Sequence, residues 1–122
     1  MHRSMMQVYV KDSGEAFHFY QKVFNAKVLC HYLNDDGTSA HSELSIYEQV
    51  FAIAELQDDL VNTGNTMQLC LHFGEGKESV VQEIYDKLKD GAEIIHPLGS
   101  VDYSPMHMDL IDKYGVRWCI FV

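Results

Sequence analysis

The chain has few cysteines and few prolines. Its 122 residues include three cysteines and two prolines. The cysteines are odd in number, widely spaced and without a Cys-x-x-Cys pair, which argues against a disulfide framework and favours a reducing compartment. The scarcity of proline, together with a hydrophobic content of 47%, indicates a globular domain rather than a disordered chain.

Long apolar runs and clusters of basic residues are also missing. No apolar run approaches the roughly 20 residues that a membrane-spanning helix needs, and the first residues lack the apolar core of a signal peptide. The formal net charge is −9, and an acidic surface repels the phosphate backbone of nucleic acids. We therefore expect a cytoplasmic protein that binds neither membranes nor nucleic acids.

The second half of the chain repeats the pattern of the first half. Residues 8–28 predict a strand, a helix and a strand, and residues 71–95 predict the same order. Tyr20 aligns with Tyr85, and one extra residue before Gly91 accounts for a slip in the alignment. Two further strands follow in each copy, so each copy is predicted as a β-α-β-β-β module.

The repeat predicts an α+β protein with a single domain over residues 1–122. Two tandem modules, about 5–56 and about 66–122, are joined by a polar linker at about 57–65. Eight strands and two helices are expected, with the helices on one face of an open mixed sheet and the other face curving around a cavity. A cavity between packed half-domains favours the binding of a small molecule.

Three local signals predict where elements begin and end. Asp12 stands three residues before Glu15, which predicts a capping box at the start of the first helix. Asn25 can adopt the left-handed conformation that ends this helix. In the second module, the glycine, serine and proline of residues 99–105 predict a loop between two strands.

Three motifs occur in order along the chain. Residues 12–26 fit the pattern D-x-x-x-A-x-x-FY-x-x-x-F-x-A, residues 41–44 read HSEL, and residues 112–118 read DKYGVRW. Together they resemble the PhnB-like branch of the vicinal oxygen chelate superfamily, which includes glyoxalase I, bleomycin-resistance proteins and extradiol dioxygenases. The resemblance covers essentially the whole chain. It implies the glyoxalase/bleomycin-resistance fold and a homodimer.

The resemblance also implies positions for metal ligands. Metal-dependent members of the superfamily draw their ligands from the first and last strands of both modules, which here are Met5, Glu55, Gln68 and Cys119. A carboxylate and an amide oxygen can bind a divalent metal, whereas a thioether and a thiol suit Mn²⁺, Fe²⁺ or Mg²⁺ poorly. Glu55 and Gln68 are therefore the candidate ligands, and the cofactor and the catalytic status are left open.

Polar residues alternate along the predicted first strand of the second module, residues 67–73. Gln68, Cys70 and His72 share one face, and the opposite face is apolar. Because an apolar face packs on the helices, we expect the polar face to turn toward the cavity and contact the substrate. Simple half-exposure to solvent is the alternative. Tyr103 and Cys119 complete the predicted substrate contacts, with packing of Cys119 in the core as the alternative.

Three residues are candidates for catalysis. Glu55 lies among apolar residues, so its carboxylate needs a partner, a ligand or a raised pKa unless the strand end reaches water. His41 and Glu43 share a strand face and could bind a metal or move a proton, although such pairs also occur on surfaces without a role. His107, with Tyr103, could hold an oxyanion or merely line a wall.

These patterns favour a PhnB-like protein that binds a small organic molecule. Its catalytic form would be a metal-assisted lyase, isomerase or dioxygenase-type enzyme. The alternative is a non-catalytic protein that sequesters a drug, as bleomycin-resistance proteins do. Sequestration needs only an apolar cleft lined by aromatic side chains. A third possibility is a fold that has lost this activity and serves as a regulator or partner-binding module, and the fold alone does not decide among the three.

Overall fold

The computed structural model describes residues 1–57, 59 and 66–122. They belong to two compact units whose boundary falls between residues 61 and 62. The predicted polar linker at 57–65 lies, except for residues 57 and 59, outside the described residues. Among the described residues, neither helix is long and apolar enough to cross a membrane.

The first unit is one β-α-β-β-β module. Its elements are β1 (Met6–Val10), α1 (Ser13–Val23), β2 (Lys27–Leu33), β3 (Ser39–Ile46) and β4 (Gln49–Glu55). The strands form a four-stranded sheet in the order β1-β4-β3-β2. The pairing of β1 with β4 is parallel, because α1 crosses over between β1 and β2, and the other pairs are antiparallel.

The second unit repeats this architecture. Its elements are β5 (Leu69–His72), α2 (Glu78–Leu88), β6 (Glu93–Val101), β7 (Ser104–Ile111) and β8 (Arg117–Phe121). The sheet order is β5-β8-β7-β6, and β5 pairs with β8 in parallel. Within the described residues, the predicted α+β class, the eight strands, the two helices and the internal repeat are therefore confirmed.

Each helix covers one face of its own sheet. The helix α1 contacts β3 and β4, and α2 contacts β7 and β8. In the first module the ring of Tyr20 meets the ring of Phe51 edge-on at a centroid distance of 5.1 Å. Full burial of an apolar side chain of this size stabilises a fold by about 1.5–3 kcal/mol. The matching core of the second module comprises Val81, Ile84, Leu88, Met108, Leu110, Trp118 and Ile120.

The start of α1 differs from the prediction. The prediction of a capping box was wrong, because Asp12 has φ 56° and ψ 46° and its side chain makes no capping hydrogen bond. A capping side chain requires an extended backbone at this position, not a left-handed one. Instead, the backbone N–H of Ser13 donates to Oε1 of Glu55, at 3.0 Å. The end of the helix follows the prediction, since Asn25 has φ 47°.

The loop predicted at residues 99–105 is also wrong. Only Asp102 and Tyr103 form the turn, because β6 continues to Val101 and β7 begins at Ser104. The register between these strands shifts on both sides of Gly99, so bulges absorb the residues that suggested a loop. The hydroxyl of Ser104 is buried and donates to the carbonyl oxygens of Met106 and Val122.

The turn between β7 and β8 is organised by one buried carboxylate. Oδ1 of Asp112 accepts hydrogen bonds from the backbone N–H groups of Tyr114 and Val116, at 2.9 and 3.0 Å. Oδ2 accepts from the indole Nε1 of Trp118, at 2.9 Å. The motif at residues 112–118 therefore has a structural role, because its aspartate fixes both the turn and the tryptophan of the core.

Replacing this aspartate will destabilise the protein. Asp112→Ala leaves the buried indole N–H of Trp118 and two backbone N–H groups without their acceptor, and each loss costs about 1–3 kcal/mol. We expect urea denaturation to show a free energy of unfolding lower by about 3 kcal/mol. Asp102→Ala, in the exposed turn, should change it by less than about 0.5 kcal/mol. Equal stability of the two variants would contradict this role.

Candidate functional site

In each module the sheet face away from the helix, here called the helix-free face, carries a group of polar side chains. Successive residues of a strand point to opposite faces. On β7, Met108 and Leu110 are fully buried on the helix side, so His107 and Asp109 belong to the helix-free face. The same alternation on β3 places His41 and Glu43 on the helix-free face of the first module.

An ion pair crosses the helix-free face of the second module. Arg117 donates from Nε to Oδ1 of Asp109 at 3.1 Å and from Nη2 to Oδ2 at 2.9 Å. The side-chain amide of Gln68 donates to the same Oδ1 at 3.0 Å, and its oxygen accepts from the thiol of Cys70 at 3.7 Å. Gln68 is therefore oriented by a carboxylate that the sequence analysis did not single out. Arg117 was missed as well.

His107 lies beside this network and is 6% exposed. Its Nε2 is 3.4 Å from Sγ of Cys119. Its Nδ1 is buried and has no hydrogen-bond partner among the described residues, and the same holds for Nδ1 of His96. The two imidazole rings are 5.0 Å apart, and the ring of Tyr103 is 5.6 Å from that of His107. Each of these two neighbouring rings thus has one buried nitrogen atom without a hydrogen-bond partner among the described residues.

Burial keeps both members of the His107–Cys119 pair uncharged. Burial lowers the pKa of His107, and the nearby His96 lowers it further. Burial raises the pKa of Cys119 to about 12, and the neighbouring Cys70 contributes to the rise. At neutral pH the pair is therefore a thiol and a neutral imidazole. Such a pair can exchange hydrogen bonds but does not contain a thiolate nucleophile.

Aromatic rings border the same face. The ring of His72 stacks on that of Phe121 at a centroid distance of 4.5 Å, and Tyr103 meets Phe121 edge-on at 5.5 Å. His72 and Tyr103 are exposed. The structure thus brings together, on one face of one sheet, all the residues predicted to contact substrate together with His107: Gln68, Cys70, His72, Tyr103 and Cys119. Their role in binding stays a prediction.

The helix-free face of the first module holds a second cluster. Glu43 is 4% exposed, and its oxygens accept two hydrogen bonds of 2.8 Å from the guanidinium of Arg3. Nε2 of His41 is 2.9 Å from Oε1 of Glu43. The hydrogen bonds from Arg3 and His41 lower the pKa of Glu43 from 4.5 to about 2. Cys30 pairs with Glu43 across β2 and β3.

The two clusters occupy equivalent positions of the repeat. His41 and Glu43 lie on the third strand of their module, as His107 and Asp109 do on theirs. In both modules the carboxylate accepts two hydrogen bonds from one arginine, although the arginine comes from a different part of the module. The signal that could have revealed this is the repeated pattern His-x-acid, which an alignment of the whole repeat contains.

The predicted metal ligands lie in different modules and already have partners. Glu55 accepts from the backbone of Ser13, and Gln68 interacts with the carboxylate described above. Met5 precedes β1 and offers only a thioether, and Cys119 is a thiol at neutral pH. This donor set fits a hard divalent cation poorly. The assignment of Glu55 and Gln68 as metal ligands stays a prediction, as does the catalytic role of Glu55.

Known structures share this fold. The PhnB protein from Bacillus cereus superposes with a TM-score of 0.81 at 22% identity, covering 98% of each chain. The fosfomycin resistance protein FosX from Listeria monocytogenes, complexed with Mn(II) and sulfate, has a TM-score of 0.69 at 17% identity, covering 98% of this chain and 88% of that one. TioX from Micromonospora has a TM-score of 0.67 at 17% identity, covering 97% and 93%.

These neighbours are PhnB-like, FosX and TioX proteins of the vicinal oxygen chelate superfamily. The chain therefore has the glyoxalase/bleomycin-resistance fold, and the resemblance found in the sequence is confirmed at the level of the fold. No protein-family model and no curated protein sequence matches the chain. Sequence identities this low support the same fold but not the same function, so the function must be argued from the residues of the site.

The charge of Glu43 will make stability depend on pH. Because its folded pKa of about 2 lies below 4.5, its contribution is present above about pH 4.5 and is lost as the pH falls toward 2. Glu43→Gln should lower the free energy of unfolding at pH 7 by on the order of 1 kcal/mol, since solvent screens the half-exposed Arg3. The difference between the two proteins should shrink at pH 3.

Urea denaturation at pH 7 and pH 3 measures this difference. Glu75→Gln, on an exposed loop, is the matched control and should leave stability nearly unchanged at both values. A destabilisation by Glu43→Gln of the same size at pH 3 and pH 7 would show that the ionised carboxylate is not its source.

Proposed function

We propose that the protein binds a small organic molecule on the helix-free face of the second module. The observation that supports this most is the buried Nδ1 of His107, which has no hydrogen-bond partner among the described residues. A buried polar atom without a partner costs about 1–3 kcal/mol, and such atoms are rare in folded proteins. A bound ligand would remove this cost once the imidazole rings turn toward it, because both nitrogen atoms are inaccessible in the described conformation.

The chemistry of this face limits the class of ligand. The neutral imidazole of His107 offers a donor or an acceptor rather than a charge, which favours a carbonyl, hydroxyl or amide over a free anion. The rings of Tyr103 and Phe121 offer apolar surface next to these atoms. We therefore propose a ligand with an oxygen or nitrogen function beside a planar or apolar part. The cavity predicted for the curved sheets stays a prediction.

Binding without catalysis has more support from the geometry than catalysis. The thiol of Cys119 stays protonated at neutral pH, and the carboxylate of Glu55 caps a helix. FosX is by name a resistance protein for the small molecule fosfomycin, and this name supports a small-molecule ligand without deciding between sequestration and catalysis. Catalysis is the second candidate, with His107 as general base, because its free Nδ1 could accept a proton from a bound substrate.

We also propose that the protein is a cytoplasmic homodimer. The strands β2 and β6 each form one edge of their sheet, and both expose large apolar side chains. Val28, Leu29 and Leu33 are exposed on β2, and Ile94 and Ile95 are exposed on β6. Outer strands with exposed apolar residues are prone to pair with another chain.

Light scattering tests the homodimer. The expected mass is twice the 14.0 kDa of the chain. Leu29→Lys should shift the mass toward that of the monomer, because a charge on the outer strand opposes pairing. The exposed Leu33→Lys provides a second substitution on the same strand. A wild-type protein that stays monomeric at concentrations used for structural work would contradict the dimer.

The ligand site is tested by removing the unpaired imidazole. His107→Leu should weaken the binding of a ligand about tenfold or more, because a hydrogen bond to a buried group is lost. It should not lower the free energy of unfolding, because it also removes the unpaired Nδ1. NMR titration of ¹⁵N-labelled protein with a panel of phenols, aryl amides and aryl ketones measures the binding, and urea denaturation measures the stability.

The control variant is His18→Leu, which changes an exposed histidine of α1 and should leave binding unchanged. Chemical-shift changes should concentrate around His96, Tyr103 and His107. If the panel shifts only residues of the first module, the proposed site is wrong. Mass spectrometry after incubation separates the two functions, since a sequestered compound is recovered unchanged and a substrate is not.

A further inference from the structure

We propose that Cys30, His41 and Glu43 form a zinc-binding site on the helix-free face of the first module. Sγ of Cys30, a ring nitrogen of His41 and a carboxylate oxygen of Glu43 all lie within 4.8 Å of one another. Two neighbouring strands hold them, because Cys30 on β2 pairs with Glu43 on β3 and His41 is two residues earlier on the same face. The site is separate from the positions implied for a metal by the resemblance.

The type of donor points to zinc. A thiolate, an imidazole nitrogen and a carboxylate oxygen together match the ligands that Zn²⁺ takes in tetrahedral sites. Mg²⁺, Ca²⁺ and Mn²⁺ prefer sets of oxygen ligands and gain little from a thiolate. The side chain of His41 is 35% exposed, so a fourth position can be taken by water or by a ligand. Three protein ligands and one open position are typical of catalytic rather than structural zinc.

Arg3 occupies the place of the cation in the metal-free protein. The carboxylate of Glu43 is nearly inaccessible, so its charge requires a counter-charge. Arg3 supplies it from residues 1–5, which belong to no helix or strand, and its side chain is 47% exposed. Such a side chain can withdraw without disturbing a helix or a strand. Zinc would bind the thiolate of Cys30, whose proton would pass to solvent, and an unprotonated ring nitrogen of His41.

The second module shows why the site belongs to the first. The equivalent carboxylate, Asp109, is held by Arg117, which is part of strand β8 and has a side chain only 25% exposed. The strand fixes the backbone of Arg117, so its guanidinium has less freedom to move away than that of Arg3, which lies outside any strand or helix. The position equivalent to Cys30 is His96, which pairs with Asp109. Among the described residues, the close group of histidine, cysteine and acidic ligands is the one in the first module.

Titration of metal-free protein with Co²⁺ tests the proposal. Co²⁺ takes tetrahedral zinc sites, and a cysteine ligand gives it an intense thiolate-to-cobalt absorption band. We expect one Co²⁺ per chain, displaced by Zn²⁺. Cys30→Ser should abolish the thiolate band, and His41→Gln should weaken zinc binding by about 100-fold or more, as expected for a direct ligand. Cys70→Ser, which removes an exposed thiol of the second module, should change neither.

Arg3→Gln gives the sharpest test, because a direct ligand and a competing cation have opposite effects. Removing Arg3 should tighten zinc binding by roughly tenfold or more, since two charge-assisted hydrogen bonds no longer compete for the carboxylate. Lys11→Gln removes the same charge from an exposed position of the same module and should have little effect. Circular dichroism of the metal-free variants confirms that they are folded.

Three results would overturn the proposal. They are a wild-type protein without the thiolate band, a band that persists in Cys30→Ser, and weaker zinc binding by Arg3→Gln. The outcome does not depend on the ligand proposed for the second module, because metal titration and the small-molecule NMR titration report on different residues. Failure of the zinc proposal therefore does not contradict the ligand proposal, and the reverse is also true.

Discussion

The packing of one helix on one face of each four-stranded sheet constrains every other side chain of the protein. Because strand residues alternate between faces, burying the apolar stripe of α1 under Leu44, Ile46 and Phe51 places His41 and Glu43 on the opposite face. The same rule places the polar residues of β5, β7 and β8 together. The position of the candidate site residues thus follows from the apolar pattern. A shift of one residue in register would bury all of them under a helix.

Polar residues grouped in this way must supply one another with hydrogen bonds and counter-charges, and the two modules do so differently. Glu43 takes its counter-charge from Arg3, outside the sheet, whereas Asp109 takes it from Arg117 on the neighbouring strand. Isolated burial of either carboxylate would cost several kcal/mol. The arginine in the sheet gives a fixed network that orients Gln68. The arginine outside the sheet gives a pair that can open, and this difference underlies the separate roles that we propose for the two modules.

The sequence was sufficient for the features that depend on local pattern. Periodicity predicts the repeat, the apolar stripes and the shared face of Gln68, Cys70 and His72. The end of α1 at Asn25 could be predicted because asparagine tolerates a left-handed backbone. Features that depend on distant residues could not be predicted in this way. The carboxylate at the start of α1 comes from the far end of the module rather than from Asp12. The arginine partners of the two buried carboxylates were missed for the same reason.

The histidines of the repeat illustrate how equal positions acquire different properties. His41 pairs with its acidic neighbour and reaches solvent, so its polar atoms have partners or water available. His107 occupies the matching position but contacts a thiol through Nε2, and its buried Nδ1, like that of His96, has no partner among the described residues. Leucine or phenylalanine would fill such a position at lower cost. The two imidazoles with partnerless buried nitrogen atoms are the physical basis on which we propose ligand binding in the second module.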